Sequence, residues 1–75
     1  MSWFYLLYDG YGDVQVGGHG SVFEEVQATA TSISEGGGLA SEVFEAADGY
    51  QLQFSKRKAI LTVGLDGETL EIELD

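Results

Sequence analysis

A chain of 75 residues has room for one hydrophobic core, so a single domain over residues 1–75 is expected, with no second domain carrying a separate activity. It holds no cysteine, which excludes disulfides, thiolate catalysis and thiolate zinc sites. Its 13 Asp and Glu stand against 3 Lys and Arg, a formal net charge of −10, and a field of that sign repels nucleic acid and anionic membranes while it attracts basic surfaces.

The opening run Trp3, Phe4, Tyr5, Leu6, Leu7 and Tyr8 is too short for a helix and rich in aromatics, which suit a pleated surface packed on both faces. It predicts a central strand, and it falls far below the roughly 18 apolar residues needed to cross a bilayer. Asp9, Gly10, Tyr11, Gly12 and Asp13 read as a turn. Val14, Gln15 and Val16 then read as a short strand pairing back, before Gly17 and Gly18 interrupt it. Ser21, three residues ahead of Glu24, matches a capping box and predicts a helix start at that serine. Val22, Phe23, Val26, Ala30 and Ile33 fall on one side of this helix, with Glu24, Gln27, Thr31 and Ser34 on the other. Gly36, Gly37 and Gly38 end it.

The remaining chain reads as an antiparallel meander. Residues 42–46 form a strand that turns at Asp48 and Gly49 and returns through Tyr50, Leu52 and Phe54, with Gln51, Gln53 and Ser55 outward. Leu39, Val43, Phe44 and Ala47 equally fit one face of a short helix capped by Gly49, and the sequence leaves both open. Residues 59–65 and 69–74 make a second hairpin around Asp66 and Gly67. Leu70, Ile72 and Leu74 point inward there, and Glu71, Glu73 and Asp75 outward. Lys56, Arg57 and Lys58, the whole positive charge of the chain, form a polar turn whose cations meet carboxylates on neighbouring strands. The expected fold is α+β: an antiparallel β-sheet of four to five strands with one helix packed on one face, a two-layer sandwich. The other sheet face is expected to be polar.

Candidate chemistry is sparse. His19 lies in a glycine-rich stretch before a helix start, a place where free amides can hold an anion, although the chain as a whole repels anions. Asp9 and Asp13 flank two glycines as in calcium loops but lack the further acidic ligands of that pattern, and turn-forming aspartates account for them. The pairs Glu24 with Glu25 and Glu71 with Glu73 suggest paired-carboxylate hydrolysis only until their solvent-facing positions are considered. An enzyme is therefore not expected, and nothing calls for a cofactor or a metal. No basic segment followed by a long apolar core opens the chain, so no secretion signal is expected and the cytoplasm is the default.

Charge is what remains to interpret. The favoured expectation is a small acidic inhibitor of the anti-defence or immunity type, blocking a basic nucleic-acid-binding or nuclease site by phosphate mimicry. Its partner would be a protein with a basic surface, such as a nuclease or a nucleic-acid-binding complex, rather than nucleic acid or membrane. Glu24, Glu25, Glu42, Glu45, Glu71, Glu73 and Asp75 would present the charge, with Tyr8 and Tyr11 as aromatic anchors. The alternative is a structural or accessory domain whose acidity is adaptation to a high-salt cytoplasm. A homodimer through an uncovered strand edge is compatible with either, provided its interface is apolar and the acidic surfaces point away.

Overall fold

The opening apolar run forms β1 (Ser2–Tyr8), and its alternating side chains divide the molecule into two cores. In the computed structural model, which describes residues 2–63 and 67–74, Phe4 and Leu6 face one way, into a cluster with Ala46, Ala59, Leu61, Ile72 and Leu74. Tyr5 faces the other way, against Val26 and Ala30, with Trp3, Leu7 and Ile33 around them. Phe4, Leu6 and Leu61 are fully buried, each contributing about 1.5–3 kcal/mol of transfer free energy.

The chain then folds back as β2 (Val14–Gly20), antiparallel to β1. Gly17 and Gly18 do not interrupt this strand. Tyr5 pairs with Gly18 and Leu6 with Val16, so Gly17 is an extra residue in a bulge. The Tyr5 ring lies against both glycines, and a Cβ at Gly17 would fall 2.3 Å from Tyr5 Cε2. The glycine run is therefore a strand whose missing side chains make room for an aromatic ring from its neighbour.

Helix α1 (Phe23–Glu35) packs its Val26 and Ala30 over this sheet, as the apolar stripe predicts. It starts one step later than the capping box implies: Val22 is the N-cap, and no side chain caps the helix. With the register displaced, Ser21 and Glu24 no longer stand in the reciprocal N-cap and N3 positions that motif requires. Phe23 instead meets Trp3 edge-on, with centroids 4.9 Å apart. At the other end Gly38 N–H donates to Ile33 C=O (2.9 Å) and Gly37 N–H to Ser34 C=O (3.1 Å), a Schellman closure with Gly37 at φ 92°.

Residues 39–41 and β3 (Phe44–Ala46) run back along the other side of β1, so this stretch is extended rather than helical. β3 does not pair with the strand that follows it. The turn closed by Tyr50 N–H on Ala47 C=O carries the chain out of the first sheet into a second layer. There β4 (Gln51–Ser55), β5 (Lys58–Val63) and β6 (Glu68–Glu73) form an antiparallel meander. The ring stack explains the crossing. Phe44 lies 5.6 Å from Phe4 within the first sheet, and Tyr50 stacks on Phe4 at 5.1 Å from the second.

The single sheet of four to five strands expected from sequence is thus two three-stranded sheets, ordered β2-β1-β3 and β4-β5-β6. The α+β class holds, but the face of the first sheet opposite the helix is covered by the second sheet. The polar face is the outer side of that second sheet. Among the described residues β2, β3, β4 and β6 are the outer strands of the two sheets. No helix among the described residues is long and apolar enough to cross a membrane.

Candidate functional site

Two turns clamp the sheets together. Asp9 Oδ1 accepts the N–H groups of Tyr11 (2.8 Å) and Asp13 (3.1 Å), which closes the β1–β2 turn on itself. Lys56, in the β4–β5 turn, donates to Asp13 Oδ1 (3.0 Å) and to Tyr11 C=O (3.3 Å), while Arg57 N–H donates to Gly12 C=O (2.8 Å). The aspartates that suggest a calcium loop are therefore engaged by backbone amides and a lysine. Among the described residues no group of three or more His, Asp or Glu is placed to hold a metal ion.

His19 is exposed in β2, opposite Phe4. The shallow hollow beside the glycine run has Glu25 on its rim along with Thr29, so an anion entering it meets a carboxylate.

An open cleft of about 560 Å³ lies between residues 40–44 of the first sheet and β6 of the second. Tyr8, Phe44, Leu70, Ile72 and Leu74 supply its apolar surfaces, and Glu42, Glu71 and Glu73 also border it. Ser41 holds the first wall in place. Its N–H donates to Leu6 C=O, its hydroxyl accepts Leu6 N–H, and the same hydroxyl donates to Glu42 C=O, each at 2.8 Å. Glu71 and Glu73 follow from the two-residue period of β6, which turns both toward the outer face with Thr69. Lys58 reaches Glu71 at 3.5 Å, an exposed pair worth about 0–1 kcal/mol that leaves the carboxylate open to exchange.

The sequence-predicted site residues separate into groups. Glu42, Glu71, Glu73 and Tyr8 come together at the cleft. Glu24 and Glu25 are exposed in the first turn of α1, where negative charge also favours the helix dipole. Glu45 is exposed on β3, opposite Trp3 and thus on the helix side of the first sheet. Tyr11 stands 83% exposed at the tip of the β1–β2 turn. Tyr8 is half-buried against the inter-sheet core rather than a free surface anchor. Asp75 lies outside the described residues. Ser41, Phe44 and Leu70 are among the cleft residues that sequence reasoning missed as a site. Only the last carried a signal, because the final strand of a meander has a single neighbour and stays open on its other side.

Comparison with protein-family models, curated proteins and solved structures returned no match.

Proposed function

We propose that this chain is a small protein-binding inhibitor that places its carboxylates in a basic nucleic-acid-binding or nuclease site where phosphates would otherwise lie. The observation that carries the reading is the gathering of Glu42, from the segment ahead of β3, with Glu71 and Glu73 of β6 around one open cleft with apolar walls. Carboxylates supply long-range attraction and orientation, and the apolar surface supplies the burial that holds a partner once it has arrived. The net charge of −10 accelerates encounter with a basic partner in a manner that fades as salt rises.

One observation favours a second reading. Exposed carboxylates also occur on α1 (Glu24, Glu25 and Glu35), on β3 (Glu45) and in the first turn (Asp9 and Asp13), a spread that suits a domain adapted to concentrated salt. Thermal melting followed by circular dichroism, from about 0.15 M to about 1 M sodium chloride, separates the two. A cooperative melt at the lower salt is expected for the inhibitor. A chain that folds only near molar salt would sink that reading and leave salt adaptation in its place.

A further inference from the structure

We infer that the free edge of β6 receives an extended segment of the partner as an added β-strand, and that this segment alternates basic with apolar residues. The inference rests on the reading of the acidic cleft as a partner site and specifies how the partner enters it.

Among the described residues the strand has one neighbour, β5, in its sheet. Leu74 N–H donates to Arg57 C=O at 2.7 Å, which sets the alternation of the ladder. Continued along the register, the bonded pairs are Ala59 with Ile72 and Leu61 with Leu70. Thr69, Glu71 and Glu73 then direct their N–H and C=O groups away from β5, toward the cleft. These are the groups an incoming strand pairs with. Leu70 points to the inner side of the sheet, where its register mate Leu61 is fully buried, yet Leu70 is 49% exposed because it borders the open cleft. The short β3 does not close the gap, and the cleft is the space that remains.

A strand laid along this edge alternates its side chains between two environments. Inward positions meet Tyr8, Phe44 and Leu70, and outward positions lie beside Thr69, Glu71 and Glu73. The first environment selects apolar side chains and the second Lys or Arg. A second copy of this chain is the wrong occupant, because pairing β6 with its symmetry mate sets carboxylates against carboxylates across the new ladder. Among the described edge strands, β6 is the one that carries two carboxylates on its outer face.

The test is fluorescence anisotropy of labelled peptides of about ten residues, titrated with the full chain at about 0.15 M sodium chloride. One peptide alternates lysine with valine, one holds the same residues as a lysine block followed by a valine block, and one is the alternating peptide N-methylated on the edge that would face β6. The alternating peptide is expected to bind at least tenfold more tightly than either of the others. Glu71→Pro removes an outward N–H without taking a bond from β5, and is expected to weaken the alternating peptide by at least tenfold. The N-methylated peptide makes the same test with the protein unaltered. Equal binding of the alternating and block peptides overturns strand addition while leaving an acidic partner site, whereas no binding by any peptide overturns both. Self-association in sedimentation that the alternating peptide does not compete away assigns the edge to a second copy and also overturns the inference.

Discussion

Replacing Gly17 by Ala tests whether the bulge in β2 exists to seat the Tyr5 ring. The added Cβ would lie 2.3 Å from Tyr5 Cε2, 2.6 Å from Leu7 Cγ and 2.8 Å from Tyr5 Cδ2. Carbon atoms settle about 3.5–4.0 Å apart, so the ring or the strand must retreat by about 1 Å. Tyr5 has little room to do so, being 2% exposed with Val26 and Ala30 of α1 packed against it. Overpacking of this kind costs about 1–3 kcal/mol, and the stiffer unfolded chain returns about 0.4–1 kcal/mol. The net loss is about 1–2 kcal/mol, or a fall in Tm of about 5–15 °C for a domain of this size. Gly10→Ala is the control. No heavy atom lies within 4 Å of its Cβ position and its φ is outside the left-handed region, so it is expected to be neutral or slightly stabilising. Urea and thermal melts of both variants by circular dichroism make the comparison, and in a double-mutant cycle Tyr5→Ala should relieve part of the Gly17→Ala penalty. Gly17→Ala as stable as the parent, or Gly10→Ala as damaging as Gly17→Ala, would refute the account of the bulge.

Other expected outcomes follow from burial and turn geometry. Leu61→Ala, at a fully buried position in the inter-sheet core, should cost about 2–5 kcal/mol in urea unfolding, whereas Leu70→Ala on the half-exposed edge should cost distinctly less. Gly37→Ala forces a side chain into φ 92° at the end of α1 and should cost about 1–2 kcal/mol by thermal melting. Lys56→Ala removes the exposed contact with Asp13 and should cost under about 1 kcal/mol, less as salt rises.

Residues 3–8 declare a strand buried on both faces because their apolar character is continuous, and the helix stripe and its triple-glycine stop are equally plain, since both are local patterns. The hairpin β5–β6 is legible for the same reason. The glycines of β2 are not, because what they accommodate is a ring on another strand. The division into two sheets is hidden as well. Adjacent strands joined by an Asp-Gly turn ordinarily pair, and only the stacking of Phe44 and Tyr50 on Phe4 shows why β3 and β4 belong to different layers. The acidic cleft is legible in half: the alternation of Glu71 and Glu73 is a strand pattern, but their meeting with Glu42 depends on how the two sheets stack.

The central claim is that the carboxylates of the cleft, and not total charge, recognise a basic partner. The direct measurement is displacement of labelled duplex DNA from a panel of basic nucleases and nucleic-acid-binding proteins, with two charge-matched variants. Reversing Glu42, Glu71 and Glu73 to Lys moves the net charge from −10 to −4, and reversing Glu24, Glu25 and Glu35 on α1 makes the same change elsewhere. Displacement by the parent chain, lost in the cleft variant and retained in the helix variant, is the predicted result. Equal loss in both, or no displacement by the parent chain from any member of the panel, would contradict it.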